Sequence, residues 1–395
     1  MTRAVPTKYA AVVVGAGPAG VAALGNLLEL GLNKIAWIDP SFDGGKINKN
    51  YREVPSNTKV SFFQTFATGV QPFRSVIQKT PTPNAFSVLN KLDQADTCSL
   101  HYAADLCRAL TDGMLKLDQV SQYRGTVVAA DLKETTSNWT VDIKLQDSSS
   151  SHIQVTTSRI ILCTGSSPTN PPLPISGTSI ESLDLDTVLK PSILYDHIPK
   201  NQPTTVAVIG ASHSAILALM NFVDLARSSH PNLRIKWFTR HPLRYAEFMD
   251  GWILRDNTGL KGQAAQFARE QLEDACLSKS DAGRFIRKID TSSGREDAAY
   301  KAELPECTHI VHAIGYQRNA LPSLTRNNNK SPLGEIEWDS EFGGFVDQQN
   351  EVVPGLHGAG IAFPEKVVDP MGNVEHAVGF FKFMKFLKRV TPSWV

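Results

Sequence analysis

The chain has 395 residues, enough to bury a large core and to form roughly two or three domains. A hydrophobic share of 42% and a charged share of 20% are ordinary for a soluble globular protein, so fibrous, disordered and membrane-embedded classes are set aside. A net charge of +1 argues against nucleic acid as a partner, and five thinly spread cysteines suit a reducing, cytoplasmic compartment rather than a disulfide framework.

Arg3 and Lys8 precede an uncharged stretch, Tyr9 to Leu28, with the outline of a signal peptide or membrane span. Gly15, Gly17, Pro18 and Gly20 interrupt it at the spacing of a phosphate loop, which favours a folded unit. Tyr9–Val14 reads as a buried strand, Val21–Leu30 as a helix stopped by Gly31, and "KIAWID" as a second strand ending at Asp39. Residues 40–99 show little periodicity. Phe62, Phe63 and Phe66 of "SFFQTF" read equally as core or as a substrate-side surface. "LHYAADLCRAL" reads as a helix. "GTVVAA" (125–130), "WTVDIKL" (139–145) and "HIQVTT" (152–157), divided by stretches such as "QDSSSS", predict an antiparallel meander. "RIILCTG" (159–165) is a further buried strand ending in glycine.

"SSPTNPPLPISG" is the strongest linker signal in the chain, and beyond it the strand–turn–helix–strand order restarts. "TTVAVIG", a helix from Ala211 to about Ala226 and "RIKWFTR" form the second unit. A helix around 262–277, the strand "HIVHAIGY" (309–316) and the polar loop "TRNNNK" (325–330) follow. After "GFVDQQ" and "GLHGAGIA", a final helix is expected from about Met371 to Arg389. It reads either as a membrane-surface helix or as a buried closing helix whose Lys382, Lys385 and Lys388 suit the helix dipole.

The loop Gly15-Ala-Gly17-Pro18-Ala19-Gly20 assigns each glycine a task. The first permits the turn, the second lets the backbone approach a pyrophosphate, and the third lets the helix pack on the strand. Asp39, about twenty residues on, is placed to accept hydrogen bonds from a ribose hydroxyl. The second loop keeps Gly210 but has Ser212 and Ala215 at the other two positions. It reads as a modified phosphate turn, with Ser212 or Ser214 adding a hydroxyl, or as an ordinary bend. Its second strand runs into Arg240 and Arg244 instead of an acid. Guanidinium groups there suit a ribose 2′-phosphate and point to NADPH, with a solvated basic turn as the alternative. His213 either approaches the nicotinamide or is a solvent-facing loop residue, the second being favoured. His312, His357 and His376 have no metal-site spacing, and no metal is expected.

Together, "VVVGAGPAG", the "GG" at 44–45, "ILCTGSSP", "VAVIGASHSA", "HAIGY" and "PGLHGAG" resemble the flavoprotein oxidoreductases with two dinucleotide-binding domains. That group, of pyridine nucleotide-disulfide oxidoreductase-like fold, spans thioredoxin-reductase-like enzymes and flavin-containing or N-hydroxylating monooxygenases. The resemblance covers nearly the whole chain. It implies an α/β fold with two Rossmann-like domains and a β-meander, the NADPH domain (168–324) inserted into the FAD domain (1–167 and 325–395). One loop would then hold FAD and the other its reductant. It further implies that Gly45 and Lys46 lie near the FAD phosphates, the Val128 backbone near the adenine, and Gly165 and Gly360 along the flavin. The aspartate that often follows the last of these glycines is Ile361 here, and the histidine-centred fingerprint of flavin monooxygenases is distorted to "SILYDHIP".

No C-x-x-C pair exists, which makes a thiol relay unlike this chain and leaves the flavin to act on a substrate or on oxygen. "HAIGY" resembles the alanine–threonine–glycine–tyrosine signature of N-hydroxylating enzymes with one position changed, and "YREVPSNTKVSFF" resembles the substrate-side segment of monooxygenases. The resemblance therefore favours a monooxygenase that acts through a flavin hydroperoxide on a small organic substrate, with O2. A reductase passing electrons to a quinone or other acceptor, and a non-catalytic redox-sensing protein, are the alternatives. No catalytic residue is singled out.

Overall fold

The computed structural model describes residues 7–146, 151–176, 179–327 and 331–395. Most of the "QDSSSS" turn, Gly177 of the proline-rich stretch, the end of "TRNNNK" and Arg3 lie outside the described residues. Among the described residues no helix is long and apolar enough to cross a membrane.

The first Rossmann unit is built as the apolar runs dictate. Strand Ala11–Val14 is flanked by Ile35–Asp39 and Ile160–Leu162, and the parallel order extends outward to Val120–Lys133 on one side and Val352–Gly358 on the other. These central strands are buried on both faces, as continuous apolar runs require. The strand Val120–Lys133 outlasts the parallel sheet and turns into the expected meander, pairing antiparallel with Asn138–Leu145, which pairs with His152–Thr157. The chain returns to this sheet through Ser323–Arg326, parallel to Ala129–Leu132; Ser323 and Leu324 thus join it just ahead of the expected boundary.

The second unit is a five-stranded parallel sheet, in the order Glu181–Ser182, His309–His312, Thr204–Ile209, Leu233–Thr239 and Ile286–Asp290. The two crossings between units lie side by side, Ser166–Pro168 pairing antiparallel with Tyr316–Arg318. The insertion therefore leaves and re-enters through one two-stranded ribbon.

Three stretches differ from expectation. Residues 40–99 form helices Lys46–Asn50, Val60–Ala67, Gln71–Lys79 and Ala85–Leu89, and a strand pair, Pro55–Lys59 with Thr97–Ser99. Phe63 and Phe66 are core there, edge-on to Phe380, whereas Phe62 is partly exposed and stacks on Phe381. The helix at 262–277 is broken into Gly262–Phe267, one π turn Ala268–Leu272, and Asp274–Leu277. The last helix starts at Phe380, not near Met371, because Glu365–Val368 and Val374–Ala377 form a hairpin. Asp369 accepts from the Met371 and Asn373 amides, and Gly372 takes a φ of 85° at its turn. The helix Phe380–Val390 buries Phe383, Met384 and Leu387, while Lys382 pairs with Asp256, so it is a closing helix.

Candidate functional site

The Gly15–Gly20 loop is held by its own backbone needs. The Gly15 N–H donates to the Ile38 carbonyl at 2.7 Å, and a Cβ on Gly15 would lie 2.4 Å from the Cys163 carbonyl oxygen. A Cβ on Gly20 would lie 1.9 Å from the Gly15 oxygen, so strand and helix touch backbone to backbone. Gly17 is different: nothing stands within 4 Å of where its Cβ would be. It is the N-cap of helix Pro18–Glu29 and offers no side-chain cap, so the first-turn N–H groups at the positive end of the dipole take no bond from it. An uncapped helix start of this kind can take an anion.

The second loop repeats the turn and the cap of this construction, with Ala215 in place of Gly20. The Gly210 N–H donates to the Phe238 carbonyl at 3.0 Å, and a Cβ there would meet the Ala313 oxygen at 2.3 Å. Ser212 caps helix His213–Ser228 in the same extended conformation as Gly17, again without a side-chain cap bond. Each unit also carries a tryptophan whose indole N–H donates to the carbonyl of the first glycine: Trp37 to Gly15 at 2.9 Å and Trp237 to Gly210 at 2.7 Å. Both indoles are fully buried. The second loop thus follows the first in its turn, its cap and its buried tryptophan.

The two units diverge where the second strand ends. Asp39 is buried and braces its loop, accepting from the Ala16 amide at 2.7 Å and from the Ser41 and Phe42 amides at 2.8 Å. Thr239 holds the matching place in the second unit, followed by Arg240. A cavity of about 430 Å³ opens there, lined among others by Gly210, Ser212, Arg240, Arg244 and Tyr300. Among the described residues the Arg244 guanidinium makes no ion pair, whereas Arg240 donates to Glu296 from Nε at 3.1 Å and Nη2 at 2.8 Å.

Further features fit a pair of bound dinucleotides. Thr164 Oγ1, beside Gly165, and His213 Nδ1 are enclosed and have no partner in the described structure. Val128 is the extra residue of a β-bulge, Val127 pairing with Ile143 and Ala129 with Asp142, which takes its backbone out of the ladder. Gly45, at a φ of 72°, packs on Gly17, and Gly360, at 93°, packs on Ala19. The pyridine nucleotide-disulphide oxidoreductase family pattern matches residues 9–230, more than half the chain. The chain belongs to this family. The monooxygenase AgnR1 of Paecilomyces divaricatus is 65% identical over 391 residues, 99% of each chain. The fold is that of two solved structures at low identity. The ornithine N-hydroxylase of Kutzneria sp. 744 matches at TM-score 0.60 and 15% identity, over 98% of this chain and 99% of the other. The bacillithiol disulfide reductase of Staphylococcus aureus matches at 0.54 and 12%, over 98% of both.

Within a family named for disulfide chemistry, the cysteines of this member stand apart from it. All five are free. Burial pushes the Cys163 thiol up to about 12 and those of Cys98 and Cys307 to about 11, and it raises Cys107 further. A thiolate nucleophile is thus suppressed at these four near neutrality.

The junction between units holds a polar cluster that sequence patterns did not reveal. Asp186 of the second unit, buried, accepts from the Tyr51 hydroxyl and the Asn50 amide, each at 2.7 Å. The Tyr316 hydroxyl stands beside Tyr51 and Ser214, which joins the second loop, the returning crossover and the 46–51 segment. Burial raises both phenols, and Asp186 raises Tyr51 further, so both stay protonated.

Two expected residues are placed differently. Lys46 donates to the Ser166 carbonyl and to Ser167 Oγ, both at 2.7 Å, so its ammonium serves the crossover ribbon rather than the first loop. His213 is not solvent-facing: its ring lies against the Pro55 carbonyl, and burial brings its pKa down to about 4. Ile361 is partly exposed and supplies no polar anchor.

Proposed function

We propose that the protein is an FAD-dependent oxidoreductase that takes hydride from NADPH and inserts oxygen from O2 into a small organic substrate, in the cytoplasm. One observation carries this reading: two loops of matching turn, cap and tryptophan bond stand on two units, one followed by a carboxylate and the other by arginines. The first suits the ribose of FAD and the second the 2′-phosphate of NADPH. The 65% identity to a protein named a monooxygenase supports the final step. FAD, when bound, supplies the two-electron chemistry and the reaction with oxygen.

The roles of this chain's own residues follow from placement. Gly15, Gly17, Pro18, Ala19 and Gly20 cradle the FAD pyrophosphate, and Gly210, Ser212 and Ser214 that of NADPH. Gly165 and Gly360 keep backbone close to the flavin, with the free Thr164 hydroxyl available as a donor. Neutral His213 offers Nδ1 to the nicotinamide nucleotide without adding charge. The protonated Tyr51 and Tyr316 close the junction against bulk water. The insert 168–324 is the NADPH domain.

Anaerobic titration of the FAD-loaded protein tests this. NADPH bleaching the flavin at much lower concentration than NADH is expected. Failure of both nucleotides to reduce it, with FAD and NADPH still bound, would favour the non-catalytic sensor.

A further inference from the structure

The arginine next to the second loop is already engaged. Arg240 lines the cavity, yet its guanidinium donates from Nε and Nη2 to a single Glu296 oxygen, at 3.1 and 2.8 Å. That same oxygen accepts from the hydroxyl of buried Tyr300, also at 2.8 Å and also lining the cavity. The carboxylate is thus pinned from below by a rigid phenol and holds Arg240 from the side. Arg244, in the same cavity, has no such acid among the described residues.

We propose that Glu296 is a specificity-determining residue that competes with the ribose 2′-phosphate for Arg240 and so sets how strongly the site prefers NADPH to NADH. This rests on the NADPH reading of the second loop. A dianionic phosphate placed between the two arginines meets Arg244 at full charge. At Arg240 it must displace a carboxylate or share the guanidinium with it, and the carboxylate repels it. Both partners of the pair are partly exposed, 57% and 31% for their side chains, so the pair opens readily and tunes affinity instead of blocking it. Nothing in this competition touches a nucleotide without the 2′-phosphate.

The test uses two ligands that isolate the difference, 2′,5′-ADP and 5′-AMP, titrated calorimetrically into the FAD-loaded protein. Glu296→Gln keeps the hydrogen-bond shape for Tyr300 and removes the charge. The expected result is about three- to tenfold tighter binding of 2′,5′-ADP with 5′-AMP unchanged, the gain shrinking as salt rises. Glu296→Ala gives the same direction if the domain remains folded, which the unchanged 5′-AMP affinity reports. Wild-type preference for 2′,5′-ADP that both variants leave unaltered would overturn the role of Glu296 and leave the NADPH reading standing. Equal binding of the two ligands by wild type, Glu296→Gln and Arg244→Ala would overturn both.

Discussion

Gly17 separates binding from folding in the first loop. Its φ of −77° is open to any residue and its Cβ direction is empty, whereas a Cβ on Gly20 would stand 1.9 Å from the Gly15 oxygen. Gly17→Ala therefore leaves the apo fold within about 1 kcal/mol of wild type, the scale of an N-cap change. Its methyl projects into the space that a pyrophosphate would fill and separates the phosphate from the helix N–H groups. Each charge-assisted bond lost costs about 1.5–3 kcal/mol, which corresponds to roughly ten- to hundredfold weaker FAD binding. Gly20→Ala, by contrast, must push helix from strand and costs the apo fold more, about 3 kcal/mol. Urea unfolding of the apo proteins and FAD titration followed by flavin fluorescence measure the two quantities separately. Wild-type FAD affinity in Gly17→Ala, or an apo stability as low as that of Gly20→Ala, would refute the reasoning.

Other predictions rest on single contacts. Trp37→Phe removes the indole bond to Gly15 and weakens FAD binding while nicotinamide-nucleotide binding is kept; Trp237→Phe does the reverse, each costing about 1 kcal/mol in the affected titration. Asp186→Ala strands the Tyr51 hydroxyl and the Asn50 amide at the junction and lowers stability by about 2–3 kcal/mol in urea, whereas Asn at 186 costs less. Burial holds His213 near 4 and, with the Arg159 charge beside it, His357 near 3. The folded protein keeps both rings neutral where the unfolded chain protonates them, so stability falls as pH drops below about 6.5, by roughly 1.4 kcal/mol per pH unit for each ring. His357→Phe, stacked on Trp394, should flatten the fall in melting temperature between pH 7 and 5.

What could be read from sequence was local. The glycine spacing, Asp39, the arginines after the second strand and the alternating runs of the meander are signals carried within a few residues of chain. The paired Trp37 and Trp237 were also in view, each two residues before the end of its strand in "IAWID" and "IKWFT", but their meaning lies in a carbonyl more than twenty residues away. The hairpin before the last helix was signalled by Asp369, Gly372 and Asn373, and the apolar residues around them masked it as helix. The junction was beyond reach. Asp186 meets Tyr51 across 135 residues of chain, and no spacing announces such a partner. The same holds for Lys46, drawn to Ser166 and Ser167, and for His213, whose ring meets the backbone of Pro55 from the other unit.

The most direct test of oxygen insertion is a stopped-flow record. FAD-loaded protein is reduced anaerobically with NADPH and then mixed with oxygenated buffer. A long-lived absorbing species distinct from both oxidised and reduced FAD, persisting while NADP+ is retained and decaying faster when a substrate is supplied, is the expected result. A single-phase return to oxidised flavin with stoichiometric release of hydrogen peroxide, unchanged across candidate substrates, would contradict it and direct attention to quinones and other acceptors.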